Sequence, residues 1–245
     1  RGGAGDDRMK GGLGIDQVYG DDGDDLLYGE AGTTMAADAS QTGQRLYGGD
    51  GRDTLYAYAP EMTSLTEYQS QNGYDGDQLF GGAGGDYLHG NARKEVFDGG
   101  SGNEFIAGDE FVGPNYLTHS LAGLGTEADV NGADDLIIGG SGEDQLYGGG
   151  GNDTIWGGLG TDYIDGQQGR DTQYGGSGID MFVLYTRLGS DGNLDPNIDT
   201  IDGHYGNAVQ GDTPDDNATD ILVIDGTDIG GTILLGQVAG QSTVL

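Results

Sequence analysis

An apolar residue recurs every nine positions through most of this chain, and a glycine-rich run separates each from the next. Between 139 and 183 the pattern is unbroken: GGSGEDQLY, GGGGNDTIW, GGLGTDYID, GQQGRDTQY and GGSGIDMFV. Each nonapeptide opens with a six-residue turn ending in an acid and closes with a three-residue strand. Strand alternation sends the eighth residue inward and the seventh and ninth outward. Three residues bury too little to stand alone, so the units must stack on one another.

Carried back to the start, the same register gives fifteen half-turns. The first three are 2–10, 11–19 and 20–28; the fourth opens at Gly29 and recovers its strand at Arg45-Leu46-Tyr47. The fifth is 48–56, and the sixth has a long turn from Ala57 before finishing at Phe80. The seventh to ninth cover 81–107, and the tenth runs from Gly108 to Ile138 around another insertion. The expected inward residues are Met9, Val18, Leu27, Leu46, Leu55, Leu79, Leu88, Phe97, Ile106, Ile137, Leu146, Ile155, Ile164, Gln173 and Phe182. Gln173 alone is polar, which suggests loosening near the end of the repeat array.

Composition changes the picture by showing what the repeats lack. The 245 residues include 54 Gly and 42 acids against 9 basic residues, for a net charge of -33, and only 34% are hydrophobic. Such a chain without periodicity would read as a disordered polyanion. Its charge repels nucleic acid and anionic membrane surfaces, so neither is an expected partner. No apolar run approaches the ~18 residues of a spanning helix, so no membrane insertion is expected. With no Cys, disulfide and thiolate chemistry are excluded.

Cations are the partners such a surface invites. Glycines at the first, second and fourth places permit the positive-φ backbone of a tight turn and leave main-chain carbonyls free to converge. An Asp at the sixth place adds a hard anionic oxygen, which suits calcium rather than a thiophilic metal. The three His (His89, His119, His204) show no zinc-ligand spacing, and neither HExxH nor GxSxG occurs. An acid repeated every nine residues reads as a ligand register rather than a catalytic dyad, so no enzymatic activity is expected.

On these nonapeptides the chain resembles the RTX (repeats-in-toxin, hemolysin-type calcium-binding) family over about residues 2–183. The resemblance implies an all-β, right-handed parallel β-roll with two nonapeptides per turn, spanning 1–183; the open end of such a roll needs covering, so 184–245 is expected to be a β-rich capping region. It further implies that odd and even half-turns stack along opposite edges, with calcium ions between successive turns of one edge. About seven to eight layers would make a rod of roughly 35 Å.

Sorting the turns by parity separates the edges. All eight odd turns keep Gly at the first and fourth places and an acid at the sixth. They form one expected ladder through Asp7, Asp25, Asp53, Asp86, Glu104, Asp144, Asp162 and Asp180, enclosing about seven ions. Glu104 is one methylene longer than Asp, so distortion is expected there. On the even edge the expected ligands are Asp153 and Asp171, extending to Asp135, with Asp16 and Asp77 weaker. Turn carbonyls such as those of Gly139, Gly148, Gly157 and Gly175 complete the coordination.

The even turns also hold the insertions, near 33–44, 57–72 and 111–131, with aromatic residues Tyr58, Tyr68, Phe111 and Tyr116. Loops tolerate insertion where ligand geometry is relaxed, and the alternative is a face for a protein or glycan partner. Outward aromatics recur at Tyr19, Tyr47, Phe80, Trp156 and Tyr174 on one sheet and at Tyr28, Tyr56 and Tyr147 on the other; stacking along the sheet is expected of them. From Leu184 the period stops, although Asp199-Thr200-Ile201-Asp202 is similar to the block that often follows RTX repeats. The chain opens directly on a repeat, as a piece of a longer protein would. The resemblance implies an extracellular or cell-surface protein exported by the Gram-negative type I route. A structural or adhesive role (adhesin or S-layer type) is the leading expectation; the alternative is the secretion and folding module of an exported enzyme or toxin.

Overall fold

The computed structural model describes residues 1–12, 14–30, 43–57, 75–91, 93–108, 132–185, 199–202 and 221–225. Every regular element among them is a strand. One sheet holds β1 (Gly3–Ala4), β3 (Gln17–Asp22), β5 (Arg45–Asp50), β7 (Asp75–Ala83), β9 (Lys94–Ser101), β11 (Leu136–Ser141), β13 (Thr154–Leu159), β15 (Thr172–Ser177) and β17 (Thr200–Asp202). The other holds β2 (Arg8–Gly12), β4 (Leu26–Glu30), β6 (Thr54–Tyr56), β8 (Tyr87–His89), β10 (Phe105–Ala107), β12 (Gln145–Gly150), β14 (Tyr163–Gln168), β16 (Met181–Tyr185) and β18 (Ile221–Asp225). Each sheet runs in chain order with every pairing parallel, so the chain alternates between sheets and two nonapeptides make one turn of a parallel β-roll.

The register follows the nonapeptide. Val18 faces Leu46, Leu46 faces Leu79, and Leu79 faces Phe97; on the other sheet Leu27 faces Leu55 and Leu55 faces Leu88. These eighth-place residues form one core between the sheets, with Met9 and Ile201 packed against its two ends. Alternation along β5 buries Leu46 and leaves Arg45 exposed.

Most strands are longer than the three residues expected. β5, β12, β13 and β15 each run six residues, from the seventh place into the third place of the next turn. The ladder skips the first-place glycine: Tyr47 pairs with Phe80, and pairing resumes at Gly49 with Gly82. The strand therefore bends at that glycine and continues along the next edge. Gly49 and Gly82 both sit at positive φ, 126° and 118°, which favours glycine.

The sheets also extend past the nonapeptide array. β17 pairs with β15 and places Ile201 beside Gln173, and β18 pairs with β16. The segment expected as a cap thus supplies the last described strand of each sheet, and among the described residues each sheet has nine strands against the seven to eight layers expected. Gln173 does not mark loosening: it is fully buried between Ile155 and Ile201 in an unbroken ladder.

Outward aromatics stack along the sheets. Tyr19, Tyr47 and Phe80 lie parallel with centroids 4.6 and 4.8 Å apart, and Trp156 stacks on Tyr174 at 5.6 Å. On the other sheet Tyr28 stacks on Tyr56 and Tyr56 on His89, while Phe105, Tyr147 and Tyr163 continue the row with tilted rings. His89 thus serves as a flat ring in the row. The insertion residues Tyr58, Tyr68, Phe111 and Tyr116, together with His119 and His204, lie outside the described residues.

The Oε1 atom of Gln173 is buried without a hydrogen-bond partner, and its Nε2 reaches Asp199 Oδ2 only at 3.5 Å. Replacing it with an apolar residue removes that orphan. Gln173→Leu is expected to stabilise the folded chain by about 1 kcal/mol, seen as a raised Tm in saturating calcium. A lowered Tm would show that the amide contributes more than it costs.

Candidate metal centre

The sixth-place acids stand at the corners where each turn hands over to a strand. Along the odd edge the turns are tied in all seven steps by a bond from the fourth-place amide to the third-place carbonyl of the next turn. These run from Gly5, Gly23, Gly51, Gly84, Gly102, Gly142 and Gly160 to Asp22, Asp50, Ala83, Ser101, Ser141, Leu159 and Ser177, at 2.7–2.8 Å. The acids add a second tie. The N–H of Asp7 donates to Oδ1 of Asp25, Asp25 to Asp53, and Asp53 to Asp86, each at 2.8 Å. The series resumes from Glu104 to Asp144, Asp144 to Asp162, and Asp162 to Asp180.

The step onto Glu104 breaks the carboxylate series among the described residues. Both oxygens of the longer Glu104 carboxyl are buried without a hydrogen-bond partner, and burial together with the neighbouring Asp144 carboxyl raises its pKa. Asp86 to Glu104 keeps the main-chain tie, with Phe105 N–H donating to the Asp86 carbonyl at 2.8 Å.

The even edge carries the same device over its C-terminal part. Asp135 donates to Oδ1 of Asp153, Asp153 to Asp171, and Asp171 to Asp199. Asp199 was not among the expected ligands, because fifteen residues without the nonapeptide period (184–198) precede it. The Asp-x-apolar pattern of Asp199-Thr200-Ile201 was the available signal. Nearer the N-terminus, Asp77 accepts the amides of Gly43 and Gln44. Asp16 stands half-buried at its corner. Glu95, also missed, is buried at the sixth place of the eighth turn, and its amide donates to Asp135 Oδ1.

Those bonds use one carboxylate oxygen and leave the other. Oδ2 of Asp25, Asp53, Asp86, Asp144, Asp153, Asp162 and Asp171 is buried with no hydrogen-bond partner, as is that of Asp16. A buried anionic oxygen left this way is costly unless a proton or a cation satisfies it. Burial is the leading cause that pushes the carboxyls of Asp53 and Asp86 up to about 6, Asp162 to about 8, Asp171 to about 9 and Asp199 to about 6.

A small cradle recurs beside most of these oxygens. At Gly139 a Cβ would stand 2.5 Å from Asp144 Oδ2 and 2.7 Å from the carbonyl of Gly157. Gly20, Gly48, Gly81, Gly148 and Gly157 repeat the arrangement, each facing the Oδ2 of its own turn and the first-place carbonyl of the next, among them those of Gly166 and Gly175. The carbonyl of Gly139 takes this place beside Gly99, and that of Gly148 beside Gly108. Only glycine leaves the space open. No three His, Asp or Glu side chains converge among the described residues, so carbonyls must supply the balance of any coordination shell. An all-oxygen donor set of carboxylate and carbonyl fits a hard divalent cation of calcium's size.

Comparison with curated proteins gives no match. A family profile described as the RTX calcium-binding nonapeptide repeat (4 copies) matches residues 1–35, 40–59, 72–106, 129–164 and 153–182. Those segments take in more than half of the chain, and the fold and donor set agree with the match: the protein belongs to the RTX calcium-binding nonapeptide repeat family, whose repeats bind multiple calcium ions.

Proposed function

We propose that this chain is a calcium-folded structural domain of a secreted or cell-surface protein, adhesive or lattice-forming rather than catalytic. The observation that carries the reading is the double row of buried carboxylates with one oxygen hydrogen-bonded and the other without a partner. On the odd edge the ligands are Asp7, Asp25, Asp53, Asp86, Glu104, Asp144, Asp162 and Asp180. On the even edge they are Asp135, Asp153, Asp171 and Asp199, with Asp16 and Asp77 at weaker positions. Seven odd-edge gaps and three even-edge gaps make room for about ten ions. Calcium supplies positive charge between layers, so its binding free energy becomes folding free energy.

Sites with dissociation constants of ~10⁻⁴–10⁻³ M match extracellular calcium. They would leave the chain unfolded in a cytosol and fold it after export. Its 42 acids against 9 basic residues repel one another until then. The regular spacing of the acids supports a scaffold over a catalytic dyad.

Circular dichroism at neutral pH is expected to show an expanded chain without calcium and a β spectrum at millimolar calcium. A folded spectrum in chelator would overturn the reading. Asp162→Asn keeps the acceptor for the Asp144 amide but removes the charge. It is expected to lose one or two ions and to raise the half-folding calcium concentration about two-fold or more; unchanged stoichiometry by equilibrium dialysis would remove Asp162 from the ligand set.

The raised carboxyl pKa values fix a pH dependence. Without calcium, a carboxyl whose folded pKa exceeds its unfolded value of about 4 stabilises the fold fully below pH ~4. That contribution is lost as pH rises through about 6 for Asp53 and Asp86, and through about 8 to 9 for Asp162 and Asp171. With calcium the sign reverses, because ligands must be deprotonated. Calcium-free chain is therefore expected to gain β structure on acidification, while the half-folding calcium concentration falls from pH 5 to 8. A half-folding concentration independent of pH would contradict this.

A further inference from the structure

The eighth turn, Gly90 to Glu95, departs from its neighbours, and its departures are mutually consistent. Where all eight odd turns carry a fourth-place glycine, this one carries Arg93, the largest fully buried side chain among the described residues. An arginine side chain stays charged inside a protein and needs anionic company. The register places acids in the adjoining turns: Gln78 pairs with Val96 and Val96 with Leu136, so the eighth turn lies between the turns of Asp77 and Asp135. Asp77, Glu95 and Asp135 are all buried there.

The turn is also closed by side chains. Asn91 Oδ1 accepts the Arg93 amide at 2.9 Å, and Glu95 Oε2 accepts the Asn91 amide at 3.4 Å. Positive φ among the described non-glycine residues occurs only at Asp21 and Gln167, so Arg93 does not reproduce the fourth-place backbone of the calcium turns. The cradle differs too. A Cβ at Gly90 would meet the Gly108 carbonyl and the Phe97 ring rather than a carboxylate of its own turn, whereas Glu95 Oε1 lies against Gly76 of the preceding turn.

We propose that the guanidinium of Arg93 is a protein-supplied cation that replaces calcium in the middle of the even edge. It neutralises the acids of the sixth, eighth and tenth turns and divides that edge into a metal-independent middle and a calcium-dependent C-terminal run. The folded roll therefore carries one layer-to-layer clamp that needs no metal of its own. This rests on the calcium-ladder reading of the other turns.

The test compares Arg93→Lys with Arg93→Met in the full chain, following half-folding calcium concentration by circular dichroism and bound calcium by equilibrium dialysis. Lysine retains the charge and is expected to fold close to the wild type. Methionine retains apolar bulk alone. It is expected to need about two-fold more calcium, since the loss of one buried pair is shared among some ten ions, or to bind an additional ion. Failure of Arg93→Met to fold while Arg93→Lys folds also supports the role. Equal shifts in both variants, failure of both, or an Arg93→Met chain that matches the wild type would overturn it. A wild-type chain folded without calcium would instead defeat the ladder, which keeps the two failures distinct.

Discussion

The two oxygens of most sixth-place carboxylates do different things, and the roll depends on that division. Oδ1 accepts an amide from the preceding turn of the same edge, fixing the carboxylate and the layer spacing together. Oδ2, held rigid by the first bond, remains buried beside a glycine carbonyl from the following turn. A group placed this way has little freedom left to lose when a cation arrives, so more of the binding free energy is available for closing the gap between layers.

The need for such clamps follows from the core. One eighth-place side chain per nonapeptide gives a thin apolar seam from Met9 to Ile201 among the described residues. Stacked rings on the outer faces add area, and His89 takes a place in that row. These contacts act against a high density of like charge. The balance is therefore set at the edges, where each cation both neutralises carboxylates and joins turns. Glycine at the first place is the condition for this, since a Cβ would fill the cradle.

Much of this was legible in the sequence, for physical reasons. A strict period with an inward eighth residue located core positions from Val18 to Phe182, because a strand's alternation leaves no other way to bury them. Parity separated two edges because a two-sheet roll uses alternate units on opposite sides. Other features were not legible. Backbone pairing through the second- and third-place residues carries little side-chain signal, so the strands were drawn too short. Asp199 and Ile201 resume the register after an interval without it, which period counting treats as an end. Arg93 and Glu95 stand where the repeat has Gly and Asp, and a turn closed by its own side chains matches no ligand pattern.

Long-wavelength anomalous diffraction from crystals grown in calcium tests the central claim most directly. The account expects calcium peaks in the gaps between Asp144 and Asp162 and between Asp162 and Asp180, each within coordination distance of the buried Oδ2 atoms. Corresponding peaks are expected between Asp153 and Asp171. An intact roll with ordered water and no anomalous signal in those gaps would contradict it.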